Sequence, residues 1–233
     1  MTNIRKTLLL GTALLGVSFA YMQDAQAVVV QARFQYNADP FVTLTNSSVS
    51  PGAFTLGGPQ AVNGGQYNIT SASGTAFPLL SPFPNFSTQA LVSTPSGGVG
   101  TVGDKIIIQF TESFDPSGPT PPFTVLGGLT ANILTNFTVE SGYWFGTGAF
   151  DLGTLIGKDT PTFGNSKSFT TDISPTAPYT ITAQYILTVT AAEGVQSNVT
   201  TDLIYRAPEP VSIALIGTGL AGLGLVRARR RKN

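Results

Sequence analysis

Twelve consecutive residues, YTITAQYILTVT from Tyr179 to Thr190, alternate with a period of two. Tyr179, Ile181, Ala183, Tyr185, Leu187 and Val189 fall on one side, and Thr180, Thr182, Gln184, Ile186, Thr188 and Thr190 on the other. A helix would repeat every 3.6 residues and scatter these two sets around its axis, so the stretch predicts a long half-buried strand. KIIIQFTE repeats the pattern, with Ile106, Ile108 and Phe110 inward against Lys105, Gln109 and Thr111. NILTNFTVE reads as one further strand with Ile133, Phe137 and Val139 on one side. Both are expected to pair antiparallel, one face apolar and one polar.

Further strands are expected at VVVQARFQY from Val28, FVTLT from Phe41, AFTL from Ala53, GYWFGTGAF from Gly142, SFTTDI from Ser168 and GVQSNVTTDLIY from Gly194. STPSGGVGTVGD and DPSGPTPP carry the Gly and Pro of loops, and AAEG from Ala191 to Gly194 reads as a hairpin turn between two long strands. About nine or more strands with no convincing helix predict an all-β antiparallel sandwich of jelly-roll or immunoglobulin-like topology. No repeat of a few tens of residues is evident, which disfavours a solenoid or propeller.

The chain has no Cys and no His. The fold must therefore be held by its core without disulfides. Zinc sites of the Cys/His type, His-based triads, thiol nucleophiles and haem ligation through these residues are excluded by the missing atoms. The formal net charge of zero divides unevenly: residues 28–207 hold ten acids and five bases, and the remaining bases gather at the ends. Each end group lies beside an apolar run, so the bases mark membrane topology and not nucleic acid.

At the N-terminus Arg5 and Lys6 precede the apolar run Thr7–Ala20, followed by YMQDAQA. This is the order of a secretory signal peptide, residues 1–27, with Ala25 and Ala27 at the small positions read by signal peptidase. Ser18 and Ala20 form a second small-x-small pair. The apolar run is 14 residues long, short of the roughly 20 that span a bilayer as an uncleaved anchor.

The tail, residues 206–233, places Pro208-Glu209-Pro210 before an uncharged run at 211–226 and then Arg227, Arg229, Arg230, Arg231 and Lys232. Sixteen helical residues rise about 24 Å, a short transmembrane helix that local thinning and snorkelling arginines accommodate. The basic cluster is expected to stay cytoplasmic, leaving the exported domain, 28–205, on the far side of the inner membrane.

This tripartite tail resembles the PEP-CTERM sorting signal of Gram-negative bacteria. The resemblance covers the tail alone and implies recognition by an exosortase, processing near the motif, transient anchoring in the inner membrane and delivery to the cell surface or outside. The two prolines keep the motif extended and separate from the following helix, hence accessible to a protease. Gly217, Gly219 and Gly222 spell G-x-G-x-x-G, but no strand precedes them, and with Ala221 and Gly224 they fit a thin face for packing in a membrane.

Within the domain, Glu112 and Glu140 are the candidate glycosidase pair; their polar-facing strand positions read instead as solvated surface carboxylates. Neither S-x-x-K nor G-x-S-x-G occurs, so no catalytic residue is assigned and a non-enzymatic protein is expected. Tyr143, Trp144 and Phe145 form the densest aromatic cluster; an exposed member would stack on sugar rings, whereas alternation on a strand puts at least one in the core, and core packing is favoured. Asp151, Asp159 and Asp172 lack the spacing of a calcium loop, so neither a metal nor a cofactor is expected. Five N-x-S/T sequons, at Asn46, Asn68, Asn85, Asn136 and Asn198, are common by chance in so Thr- and Ser-rich a chain, and the bacterial signal argues against glycosylation. The expectation is a structural or interaction protein of the surface or exopolysaccharide matrix, with a carbohydrate-binding adhesin module as the alternative and a polysaccharide-active enzyme as a third reading.

Overall fold

The computed structural model describes residues 27–49, 52–76, 85–114, 123–174 and 179–206. Thirteen strands run through them: β1 Ala27–Tyr36, β2 Val42–Thr43, β3 Ala53–Thr55, β4 Gln60–Val62, β5 Tyr67–Ala76, β6 Asn85–Ser93, β7 Lys105–Phe114, β8 Phe123–Thr135, β9 Phe137–Gly146, β10 Thr154–Asp159, β11 Ser166–Ile173, β12 Thr180–Val189 and β13 Gln196–Arg206. The one helical element among these residues is a 3-10 turn, Asn63–Gly65. Ala27 opens β1. The remaining signal-peptide residues with Ala25, the loop at 115–122, the Pro208-Glu209-Pro210 motif, the run at 211–226 and the cluster Arg227, Arg229, Arg230, Arg231 and Lys232 lie outside the described residues. Among the described residues no helix is long and apolar enough to cross a membrane.

Two antiparallel sheets carry the strands, in the orders β10-β9-β12-β7-β1-β2 and β11-β8-β13-β6-β5-β3, with β4 beside β5. From β6 onward the pairing is nested: β6 with β13, β7 with β12, β8 with β11 and β9 with β10. A four-deep hairpin of this kind, rolled so that alternate pairs fall in opposite sheets, is the jelly-roll arrangement.

Rolling requires corners, and two sequence expectations fail at them. NILTNFTVE is not one strand: Asn136, at φ 56°, sits between β8 and β9, which belong to different sheets. Asn tolerates the left-handed region better than most side chains. AAEG is likewise no hairpin turn, because β12 and β13 also lie in opposite sheets. The same turn-forming residues serve a hairpin and a crossover; the location of each strand's partners separates the two.

The core lies between the sheets. Tyr179, Ile181, Ala183, Tyr185, Leu187 and Val189 are buried there as expected, with Ile106, Ile108 and Phe110 of β7 beside them. Across the interface the Tyr185 hydroxyl lies 2.7 Å from Thr88 Oγ1 and 3.1 Å from Thr201 Oγ1, and donates to the Thr88 carbonyl at 2.9 Å. The hydroxyls of Tyr185, Thr88 and Thr201 thus partner one another instead of facing apolar atoms. At one end Asp104 accepts from Tyr36 at 2.8 Å, Tyr67 at 2.7 Å and Asn37 at 3.2 Å, tying β1, β5 and the start of β7 together. Along one long edge Phe169 of β11 lies over Gly127 of β8 and Gly157 of β10, with its ring centroid 6.2 Å from that of Tyr143. These contacts and the apolar layer close a sandwich that has no cysteine.

Strands β4, β5, β6, β10 and the first part of β8 have no sequence expectation above. In β5, YNITSASGTA, the register shifts between Ile69 and Ser71, so the inward set changes parity from Tyr67 and Ile69 to Ala72, Gly74 and Ala76. A bulge of this sort erases the period-two signal.

Candidate functional site: the outer face of the six-stranded sheet

The polar side of β12 was expected to face solvent, yet Thr182 is fully buried and Gln184 is 7% exposed. Register explains the layout. One row of residues crosses the outer face from Arg33 (β1) through Gln109 (β7), Gln184 (β12) and Gly142 (β9) to Lys158 (β10). The next row runs Gln31, Thr111, Thr182, Trp144 and Leu155. Arg33 Nε donates to Gln109 Oε1 at 2.7 Å, and Gln109 Nε2 donates to Gln184 Oε1 at 2.5 Å. Thr111 and Thr182 hydroxyls lie 3.1 Å apart.

The loop from Thr147 to Gly153 folds over these rows. Thr180 Oγ1 donates to the Gly148 carbonyl at 2.7 Å, and the Phe150 amide donates to Thr111 Oγ1 at 3.3 Å. Asp151 ties the loop to its own start by accepting from the Thr147 amide at 3.0 Å. Phe150 is held at φ 63°, a conformation that bulky side chains rarely adopt and that the surrounding structure must enforce. Its ring centroid lies 4.3 Å from the Arg33 guanidinium carbon, and that of Phe41 lies 3.9 Å from the same carbon. Burial lowers the Arg33 pKa from its ordinary value.

Beyond the loop, Trp144 is half-buried. A Cβ on Gly142 would stand 2.9 Å from the far end of its indole and 2.7 Å from Lys158 Cβ, so a side chain here would displace both. Lys158 pairs with Glu140 at 3.5 Å, an exposed ion pair worth about 0–1 kcal/mol. From Glu140 a cleft of about 760 Å³ opens along the sheet. Thr138, Ile186, Thr188 and Lys105 form its floor, and the loop Thr160–Phe163 forms its wall. Phe163 is 66% exposed on that wall. The face therefore offers two aromatic surfaces, apolar Ile186, and neutral and charged hydrogen-bonding groups between them. Chemically it is suited to holding a polar, extended ligand.

The sequence candidates distribute as follows. Glu112 points inward and is fully buried, which corrects its reading as a solvated carboxylate. Glu140 is on the outer face of the same sheet, so the two cannot flank one bond. Tyr143 is core, Phe145 packs against the core, and Trp144 alone of the three faces out. Asp151, Asp159 and Asp172 accept respectively from Thr147, the Thr160 amide and Thr124, on three separate elements. No group of metal-ligating residues occurs among the described residues. Asn46 bonds the Ser48 and Thr55 amides, each at 2.9 Å, and Asn198 accepts from Gln89 at 2.9 Å, so these sequon side chains have structural partners. Arg33, Phe150, Gln109, Gln184 and Phe163 were not singled out from sequence. The buried glutamines were assigned to a solvent face, and Phe150 carries no local signal of its positive φ.

No family model and no curated protein matches this sequence. Among solved structures the chain is similar to the K1 cleaved adhesin domain of Lys-gingipain from Porphyromonas gingivalis W83, with TM-score 0.35 and 8% identity over 67% of this chain and 97% of that one. It is also similar to TmCBM27, a carbohydrate-binding module described for specific mannan recognition, with TM-score 0.32 and 10% identity over 74% of this chain and 99% of that one. A third, TmCBM61 in complex with beta-1,4-galactotriose, has TM-score 0.28 and 6% identity over 56% of this chain and 85% of that one.

Proposed function

We propose that this chain is an exported protein of a Gram-negative bacterium whose jelly-roll domain acts without catalysis, as a polysaccharide-binding module of the cell surface or exopolysaccharide matrix. The observation that carries the binding role is the outer face of the six-stranded sheet, where exposed Phe163 walls a cleft floored by Thr, Ile and Lys side chains and Trp144 lies on the same face beyond Glu140. Aromatic faces stack on the apolar faces of sugar rings while hydroxyl and charged groups satisfy the ring hydroxyls. The placement of Glu112 and Glu140 on opposite faces supports a role without hydrolysis. Export and sorting rest on the ends of the sequence. Ala25 and Ala27 serve signal peptidase, Pro208-Glu209-Pro210 serves exosortase, and residues 211–226 with the basic cluster hold the protein in the inner membrane until processing.

Binding is tested with the full-length protein in mild detergent against a panel of neutral and acidic polysaccharides by calorimetry. Trp144→Ala and Phe163→Ala are each expected to weaken binding about tenfold, equivalent to about 1.4 kcal/mol; the melting temperature should hardly change for exposed Phe163 and should fall for half-buried Trp144. Absence of binding across the panel, or indifference to both substitutions, overturns the assignment. Sorting is tested by intact mass from native cells: the wild type should lose its tail near Pro208, and a variant with alanine at 208–210 should remain full length in the inner membrane. A full-length tail in both refutes it.

A further inference from the structure

Arg33 is unusual among the charged groups. Its guanidinium is half-buried, with its central carbon 3.9 Å from the Phe41 ring centroid and 4.3 Å from that of Phe150, and bonded to two neutral acceptors, Gln109 Oε1 at 2.7 Å and the Phe150 carbonyl at 3.4 Å. The ion pair formed among the described residues is Lys158 with Glu140, and Arg33 has no carboxylate partner there. A guanidinium has five N–H groups in a planar fork, and two are used here. Burying a cation without a counter-charge is unfavourable, and two aromatic rings in contact restrict its orientation before any ligand binds.

Charge distribution points the same way. Residues 28–207 hold five bases against ten acids, yet Arg33, Lys105 and Lys158 all project from this one face, and with Lys158 paired to Glu140, Arg33 and Lys105 are left without a carboxylate partner among the described residues. The loop that carries Phe150 adopts its uncommon backbone conformation at the point where it meets Arg33, and strain of this kind concentrates at ligand clamps.

We propose that the outer face of the six-stranded sheet selects polysaccharides bearing carboxylates, with the remaining N–H fork of Arg33 as the anchor for a uronate. This rests on the reading of that face as a polysaccharide-binding surface. Arg33 and Trp144 are three strands apart, about 14 Å at about 4.8 Å per strand, so the two anchors engage different residues of one chain. A planar carboxylate accepts two parallel bonds from the fork, which a neutral sugar hydroxyl cannot reproduce.

The test compares polygalacturonate with its fully methyl-esterified form, the same backbone without charge, on full-length protein in mild detergent. The acid is expected to bind at least about tenfold tighter at low salt, with the preference shrinking as salt rises. Arg33→Gln is expected to abolish the preference, and Arg33→Lys to retain part of it because the charge remains without the fork. Equal binding of acid and ester by the unmutated protein overturns the Arg33 assignment while leaving the polysaccharide reading intact, and so does a preference that survives Arg33→Gln. Failure of the unmutated protein to bind any glycan of the panel overturns both. Because the acid-against-ester comparison is made on the unmutated chain, it decides the matter even if Arg33→Gln does not fold.

Discussion

Phe169 and Gly127 face each other directly across β11 and β8, and a Cβ on Gly127 would fall among the ring atoms of Phe169. Gly157, on the opposing sheet, receives the other side of the ring: a Cβ there would stand 2.6 Å from two ring carbons. Gly127→Ala therefore expels the ring from its slot beside Tyr143. Truncating a fully buried Phe costs about 3–5 kcal/mol; Phe169 is half-buried, so Phe169→Ala should cost about 2 kcal/mol. Gly127→Ala loses the same burial and adds displacement strain, for about 2–3 kcal/mol. In the Phe169→Ala background the clash is gone. Gly127 lies outside the positive-φ set, so alanine there should be neutral or stabilising by about 0.4–1 kcal/mol through the unfolded chain. The double variant is thus expected at about 1.5 kcal/mol below wild type, against about 4–5 for simple addition. Urea unfolding at constant m-value measures each corner of the cycle. Effects that add within about 0.5 kcal/mol would show that the ring does not occupy this slot and refute the account of how the edge is sealed.

Three further outcomes are expected. The Asp104 carboxyl is pushed up by burial but held below its ordinary 3.8 by hydrogen bonds from Tyr67, Asn37 and Tyr36, so its contribution to stability is present above that pH and lost as pH falls through the folded value. Tyr36 and Tyr67 are pushed up from 10.0 to about 12, chiefly by burial and also by Asp104, so their contribution is present below pH 10 and lost as pH rises toward 12. Asp104→Asn should flatten the acid limb of a urea-stability profile, and an unchanged limb would refute the assignment. Tyr185→Phe should cost about 1–2 kcal/mol by leaving buried Thr groups without their cross-sheet partner, measured by urea unfolding; a neutral result would mean that the hydroxyl is not buried as described. Asn136→Gly should be tolerated, whereas Asn136→Val should cost at least about 1 kcal/mol because a β-branched residue opposes the positive φ of the corner; equal stabilities would remove the corner assignment.

The polar side of β12 shows how far sequence reading reached and where it stopped. Alternation identified the strand and its inward face from Tyr179 to Val189. The opposite face was read as solvent-facing because Thr and Gln usually are, and nothing local announced that Phe150 would be carried over it by a loop whose position depends on Thr180, Thr111 and Arg33. Glu112 failed for the opposite reason. It has the parity of Ile108 and Phe110 and is buried with them, so alternation predicted its burial more accurately than residue type did. Trp144 needed both kinds of information: alternation separated it from Tyr143, and only the sheet order placed it on the face that also holds the cleft.

Local pattern alone determined the all-β class, most long strands, the exclusion of Cys and His chemistry and the signals expected at the two ends. These depend on side-chain period, atom inventory and short contiguous motifs, all of which a linear chain displays directly. Tertiary structure decided which strands became neighbours, that Asn136 and the Ala191–Gly194 segment cross between sheets, and that Arg33, Trp144 and the Glu140 cleft share one surface. Those facts depend on contacts between residues far apart in the chain, where the energy of closing the roll is gained only when both sheets are present.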